Sequence, residues 1–187
     1  MSESSPRSDT PGSVGGPGLL EVDQEKASIT FRRLLRHPIQ DVWAAITDPK
    51  QVEVWFLTKV RRDDARGGRL EMEHPNGIHA AGRVLEWRPP RAYEYEWNLP
   101  PGPNNPAGES SIVRWELTPS EGGTLLVMTH RRLSRPTAEI FVRGFKVLLD
   151  RLSAQLDGEP LPDPPWVGQA RGPRGAVPSS SAGGSSA

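Results

Sequence analysis

The sequence predicts an α+β protein in which an antiparallel sheet curls around one long C-terminal helix. Three observations support this fold class. Residues 137–157 have an amphipathic helical pattern, residues 58–130 read as consecutive strands and turns, and residues 28–54 read as one strand followed by two short helices. Consecutive strands joined by short turns form antiparallel sheets, and a strongly twisted sheet of this size curls. We therefore expect the long helix to close the concave face of the sheet.

The long helix is predicted by apolar residues that recur every three or four positions, which places them on one side of a helix. These residues are Phe141, Phe145, Leu148, Leu152 and Leu156. Four further residues widen the expected buried face: Ile140, Val142, Val147 and Leu149. Pro136 suits the first turn, and Gly158 is expected to end the helix. Because burial of a Phe or Leu side chain contributes roughly 1.5 to 3 kcal/mol, this helix should supply the largest block of core.

The elements before the long helix follow from alternation and from turn residues. Residues 28–36 alternate as a half-buried strand, and His37-Pro38 ends it. A short helix should start at Pro38 or Ile39, and Asp48 should cap a second one over residues 49–54. Among the later strands, Gly82 suggests a bulge or a bend. The segment 99–109 is rich in Pro and Gly and is expected to be irregular.

Both ends of the chain differ in composition from the middle. Residues 1–24 and 159–187 are rich in Ser, Gly and Pro and carry few large apolar residues. Segments of this kind bury too little surface to offset the entropy of ordering, so we expect two disordered tails. Residues 25–158 are then expected to form a single domain.

The charge balance and the residue types exclude several classes of function. Lys and Arg together number 23, as do Asp and Glu, so no net charge favours nucleic acid. The chain has no cysteine, which excludes disulfides and thiolate metal sites. No apolar run approaches the length of a membrane span, and no signal peptide is recognisable. We expect a cytoplasmic protein without membrane insertion and without a cofactor. The oligomeric state is left open.

The alternation places a set of large side chains on the inner face of the strands. Most are apolar or aromatic with a few polar tips, which is the usual composition of a small-molecule site. Ordinary core packing is the alternative explanation. The candidate ligand-binding residues of this kind are Trp55, Met72, Val84, Tyr95, Trp97, Val113, Trp115, Met128, Phe141 and Phe145.

Two polar residues, Arg33 and His130, share the inner face with these apolar neighbours. A polar group in an apolar interior needs a protein partner or a ligand, so each could orient the polar end of a ligand. Alternatively, each pairs with a carboxylate or reaches solvent at the rim. His74 and His79 flank a predicted hairpin turn and could approach a metal ion, but a solvated hairpin is the simpler interpretation. No catalytic residue is assigned, because no nucleophile context such as GxSxG occurs.

Several separated pieces of the sequence occur together in a known family. They are the run of residues 38–49, Trp55-Phe56, Arg66-Gly67-Gly68, Gly82-Arg83-Val84, Gly123-Thr124 and His130. In order and spacing they resemble the Hsp90 ATPase activator homologue family of the SRPBCC (START/Bet v-like) superfamily, from about residue 28 to residue 157. One departure is Gly144-Phe145, where such proteins commonly carry Gly-Trp. The exchange keeps an aromatic ring in the long helix.

The resemblance implies a helix-grip fold, with a curved seven-stranded antiparallel sheet around the C-terminal helix and an apolar cavity between them. In the wider group this cavity binds lipids, sterols or polyketides, and some members are cyclases or dehydratases. The inward aromatic residues and the absence of a catalytic motif favour a protein that binds a small hydrophobic molecule without catalysis. The family name implies a chaperone partner as an alternative. A further alternative is a polyketide cyclase-like enzyme, for which His130, Tyr95 and Arg33 are the candidate acid–base residues.

Overall fold

The structure, a computed structural model, describes residues 18–23, 26–75, 77–102 and 107–165. These ranges contain eight strands and three helices. The strands are β1 (Leu19–Asp23), β2 (Lys26–Leu35), β3 (Lys59–Arg62), β4 (Arg69–Glu73), β5 (His79–Arg88), β6 (Ala92–Leu99), β7 (Glu109–Ser120) and β8 (Gly123–Ser134). The helices are α1 (Ile39–Thr47), α2 (Pro49–Trp55) and α3 (Arg135–Asp157). The α+β class and the order of elements after residue 25 are as predicted.

All eight strands form one antiparallel sheet in the order β1-β2-β8-β7-β6-β5-β4-β3. The expected count of seven strands was wrong, because residues 19–23 form β1 inside the segment predicted as a disordered tail. Among the described strands its one partner is β2, and Leu19 is 58% exposed. A short edge strand beside Gly-rich sequence carries little alternation, so its pattern was not apparent. The remaining tail predictions, for residues 1–17 and 166–187, lie outside the described residues.

One face of the sheet carries the buried side chains, arranged in rows that cross the strands. The first row consists of Val84, Tyr95, Val113, His130 and Ile29, on β5, β6, β7, β8 and β2. The second row consists of Trp87, Tyr93, Trp115, Met128 and Phe31 on the same five strands. Because alternate residues point to opposite faces, the predicted inner set of each strand does lie on one face.

The helix α3 packs on this inner face, consistent with a helix-grip arrangement. Phe145, Leu149 and Leu152 are at most 3% exposed and belong to the same apolar core as the sheet. Gly158 ends the helix in the left-handed conformation, at φ 69°, as predicted. Ile140 is 68% exposed, so its predicted place on the buried face was wrong. It lies one residue before Phe141, beyond the edge of the apolar stripe.

The N-terminus of α3 is held by a residue from another element. Glu109, at the start of β7, is buried and accepts hydrogen bonds from Ser134 N and Ser134 Oγ, at 2.9 and 2.7 Å. A carboxylate is favoured at this end of a helix by the free N–H groups and the helix dipole. Asp48 caps α2 as predicted, accepting from Lys50 N at 2.8 Å.

Gly82 lies where two strands approach closely, and the bulge that was predicted there as the alternative to a bend lies further along β5. The irregularity of β5 lies between Val84 and Glu86, whereas a Cβ atom at Gly82 would lie 2.2 Å from the carbonyl oxygen of Glu96. Gly82→Ala is therefore expected to lower the free energy of unfolding by about 1 to 3 kcal/mol, as overpacking does. Gly144→Ala is the control, because its Cβ would meet no atom within 4 Å.

The control should raise the free energy of unfolding by about 0.5 to 1 kcal/mol, since alanine favours a helix interior over glycine. Urea unfolding of both variants measures the difference. An equal, small effect at the two positions would contradict the close approach at Gly82.

Candidate functional site

A group of rings lies between α3 and the middle strands, which we call the aromatic cluster: Phe56, His74, Trp97, His130, Phe141 and Phe145. The centroid of the Trp97 ring lies 5.4 Å from that of His130 and 5.9 Å from that of Phe145. Phe141 lies 5.5 Å from His130 and 6.1 Å from Trp97. Trp97 is thus surrounded by rings from β8, α3 and the segment after α2.

The proton of His130 can be placed from its hydrogen bonds. Ser111 Oγ lies 2.9 Å from the carbonyl oxygen of Trp97 and 2.8 Å from His130 Nε2. A carbonyl oxygen only accepts, so the single hydroxyl proton of Ser111 is donated to Trp97. The proton of the second contact must come from His130 Nε2. The other nitrogen, Nδ1, therefore carries a free lone pair.

Two polar atoms of the cluster have no hydrogen-bond partner within the described residues: Trp97 Nε1 and His130 Nδ1. Trp97 is 4% exposed and His130 is fully buried. Trp97 Nε1 is a donor only, whereas His130 Nδ1 is an acceptor, so the cluster offers one group of each kind. Unpaired buried polar atoms are uncommon in folded proteins and often indicate a functional role.

His74 is bound in a similar way on the other side of Trp97. The Thr58 hydroxyl lies 3.0 Å from the carbonyl oxygen of Phe56 and 2.7 Å from His74 Nδ1. The His74 ring is stacked at 5.8 Å from that of Trp97. His74 is 8% exposed, so the interpretation of both hairpin histidines as solvated was wrong for this one. His79 is exposed, as predicted, and no group of metal-ligating residues occurs in the part of the chain that the structure describes.

Burial keeps both cluster histidines neutral near pH 7. Desolvation lowers the pKa of His130 to about 3 and that of His74 to about 4. Above the unfolded-state pKa of about 6.5, both the folded and the unfolded protein leave the imidazole unprotonated. As the pH falls below that value, the unfolded state takes up a proton that the folded state does not. Stability contributed by the buried neutral ring is therefore lost progressively from pH 6.5 towards pH 3.

For His130 alone, the free energy of unfolding is expected to fall by about 1.4 kcal/mol between pH 7.5 and 5.5. Urea unfolding of the wild type and of His130→Gln at both pH values measures the contribution of His130. It is the difference between the pH dependences of the two free energies of unfolding. His79→Gln is the matched control, because His79 is exposed on β5. Equal pH dependence of the wild type and the His130 variant would show that His130 protonates freely in the folded protein.

The interior beside the aromatic cluster is tightly packed. A cavity of about 10 Å³ lies between α2 and the sheet, lined by Trp55, Phe56, Tyr93, Tyr95 and Trp115 among others. This volume is far below the roughly 300 to 1,000 Å³ of small-molecule sites. Eleven of the twelve candidate ligand-binding residues are at most 4% exposed, and Phe141 is half-buried. The structure therefore buries eleven of them and packs Phe141 against the core.

Arg33 is brought together with a carboxylate instead of the cluster. Its guanidinium is 3.0 Å from Asp150 on α3, which matches the alternative that it pairs with an acid. Arg33 lies four residues along β2 from Ile29, the neighbour of His130, a distance of roughly 13 Å in a strand. Tyr95 is nearer, because it and His130 both pair with Val113, and burial raises the pKa of its hydroxyl.

Three polar residues that organise the interior were not predicted from the sequence: Ser111, Thr58 and Arg151. Ser111 continues the alternation through Val113 and Trp115, which would have identified it. Thr58 follows the apolar run at residues 55–57 and gave no pattern. Arg151 is 6% exposed and donates to the carbonyl oxygens of Trp55 and Val54 at 2.9 and 3.0 Å. It also contacts the carbonyl oxygen of Pro162.

No helix of the described ranges is long and apolar enough to cross a membrane.

Solved structures with the same arrangement come from several bacteria. MLL2253 from Mesorhizobium loti is 27% identical, with a TM-score of 0.64, over 72% of this chain and 99% of that one. CalU16 from Micromonospora echinospora is 27% identical, with a TM-score of 0.60, over 78% and 84% of the two chains. The protein encoded by BPP1335 from Bordetella parapertussis is 27% identical, with a TM-score of 0.61, over 86% and 87%.

No curated protein matches the chain in sequence. One family matches residues 36–157, a span that includes α1, α2, strands β3 to β8 and α3. Its description is "Activator of Hsp90 ATPase homolog 1-like protein". The match covers well over half of the chain and confirms the resemblance noted in the sequence. The chain therefore belongs to the activator of Hsp90 ATPase homolog 1-like family.

Proposed function

We propose that this protein binds a small hydrophobic ligand between the sheet and α3, without catalysing a reaction. The observation that carries the proposal is the pair of unpaired polar atoms, Trp97 Nε1 and His130 Nδ1, buried among aromatic rings. Leaving one such atom unpaired costs about 1 to 3 kcal/mol. A ligand with an apolar body and a polar end would offset that cost and would match the mostly apolar surroundings.

Because the interior is packed, the ligand must displace a side chain, and Phe141 is the best candidate. Its ring lies against both His130 and Trp97, yet it is half-buried, unlike the other rings of the cluster. It lies in the second turn of α3, next to the exposed Ile140. Outward rotation of this ring would leave a space of about one phenyl group beside the two unpaired atoms.

Native mass spectrometry of the full chain, with organic extraction of the purified protein, tests the proposal. Titration with fatty acids, sterols and polyphenols, followed by tryptophan fluorescence, provides the second readout. We expect at least one class to bind the wild type and Trp43→Phe, and to bind Trp97→Phe more weakly. Trp43 is the matched control because it contacts Trp87 instead of the aromatic cluster. An interior that retains no ligand and responds to none of these compounds would overturn the proposal.

A chaperone-stimulating interaction is a second proposal, supported by the description of the family. It requires an exposed protein-binding surface and makes no use of the unpaired atoms. An ATPase assay of the cognate Hsp90 chaperone with added protein, combined with co-purification, separates the two functions. Absence of both stimulation and co-purification would exclude this role.

A polyketide cyclase-like activity has less support from the site. It requires an acid or base near a substrate, whereas burial lowers the pKa of His130 to about 3, and Arg33 is paired with Asp150. The test is the cyclase activity of His130→Gln and of Tyr95→Phe. If neither substitution changes a measured activity, the proposal is wrong.

A further inference from the structure

The aromatic cluster offers hydrogen bonds but no counter-charge. Its six members are three phenylalanines, one tryptophan and two histidines that burial keeps neutral. The buried charges near α3 already have protein partners. Arg33 pairs with Asp150, Arg151 donates to backbone carbonyls, and Glu109 accepts from Ser134. An ionised ligand group placed beside Trp97 would therefore meet no opposite charge from these residues.

From this arrangement we infer that the ligand is an uncharged aromatic molecule that carries a hydroxyl group, such as a phenol. Its hydroxyl donates to His130 Nδ1, and an oxygen of the same molecule accepts from Trp97 Nε1. This inference rests on the proposed function and specifies the class of ligand for the same site. No bond is made or broken.

The donor and acceptor roles follow from the hydrogen bonds on the protein side. Because the N–H group at His130 Nε2 donates its hydrogen bond to Ser111 Oγ, Nδ1 can only accept a hydrogen bond. The ligand must therefore supply the donor. A carboxylate brings none, and burial of an anion without a cation is strongly unfavourable. The lowered pKa of His130 means that this ring supplies no positive charge near pH 7.

The aromatic body of the ligand follows from what it would replace. The Phe141 ring is tilted by 35° to that of His130 and by 48° to that of Trp97. The ring centroids are 5.5 and 6.1 Å apart, which are distances of favourable aromatic pairs. A ligand ring in the same place would keep these contacts and add the two hydrogen bonds that phenylalanine cannot make.

The test uses the full chain with Phe141→Ala, which creates a ring-sized space, and three probes with the same methylated ring. Isothermal titration calorimetry measures toluene, p-cresol and p-toluate. A purely apolar cavity favours toluene, because the hydroxyl of p-cresol loses its water without compensation. We expect the reverse, with p-cresol binding at least about threefold more tightly than toluene, in keeping with one net hydrogen bond. Binding of p-toluate should be the weakest.

His130→Phe in the same background removes the acceptor and keeps an aromatic ring. This change should abolish the preference for p-cresol while toluene still binds. If Phe141→Ala does not fold, Phe141→Leu serves as the second variant. Toluene binding as tightly as p-cresol, or p-toluate binding best, would overturn the inference and leave the proposed function standing. Failure of all three probes to bind, in a protein that still binds a fatty acid or a sterol, would likewise overturn the inference alone. Only the absence of binding by every class of compound tested would overturn the proposed function itself.

Discussion

Phe145→Ala is expected to lower the free energy of unfolding by about 3 to 5 kcal/mol, the range of large truncations in a packed core. Phe145 is 3% exposed, and its ring lies 5.6 to 6.0 Å from those of Phe56, Trp97, His130 and Phe141. These neighbours lie after α2, on the sheet and on α3 itself. The cavity that the truncation creates therefore cannot close by a small local movement. Urea unfolding, followed by far-UV circular dichroism, measures the loss.

The control for this variant is Ile140→Ala on the same helix. Ile140 is 68% exposed, so its truncation should change the free energy of unfolding by no more than about 0.5 kcal/mol. A loss below about 1 kcal/mol for Phe145→Ala would mean that this face of α3 is not buried.

Arg151→Met is expected to lower the free energy of unfolding by about 2 to 4 kcal/mol, because it removes the hydrogen bonds donated to two carbonyl oxygens. The bond to Trp55 is buried and the bond to Val54 is partly buried. Arg151 connects the C-terminal half of α3 to the end of α2 through the carbonyl oxygens of Trp55 and Val54. Met has similar length and packs well, so the loss reports the hydrogen bonds more than the volume. Thermal unfolding of the full chain measures the effect.

Arg143→Met provides the matched control, since Arg143 is an exposed arginine on the same helix. If Arg151→Met and Arg143→Met unfold at the same temperature, a role for Arg151 in joining α2 to α3 is contradicted. The contact of Arg151 with Pro162 also predicts faster proteolysis after residue 158 in Arg151→Met than in Arg143→Met.

Much of the fold could be predicted because each element has a period of its own. The spacing of Phe145, Leu148 and Leu152 locates α3, and the alternation through Tyr93, Tyr95 and Trp97 places the inner face of β6. These patterns depend only on neighbouring residues. They do not depend on which strand lies beside which.

The remaining features depend on contacts between distant residues. Arg33 is satisfied by Asp150 on another element, and the proton of His130 is set by Ser111 on a neighbouring strand. The hydrogen bond of His74 is made with Thr58, which lies on the other side of the hairpin formed by β3 and β4. Alternation shows which face a residue occupies but not whether the space in front of it is filled. The small volume of the interior cavity therefore could not be predicted from the sequence.

The central claim is that the unpaired atoms of Trp97 and His130 receive the polar end of a ligand. Nuclear magnetic resonance of the indole N–H groups, during titration of the wild type with p-cresol, tests it most directly. We expect the Trp97 indole proton to move downfield as it gains a hydrogen bond, while that of Trp43 stays in place. Binding of p-cresol that leaves the Trp97 proton unmoved would contradict the claim.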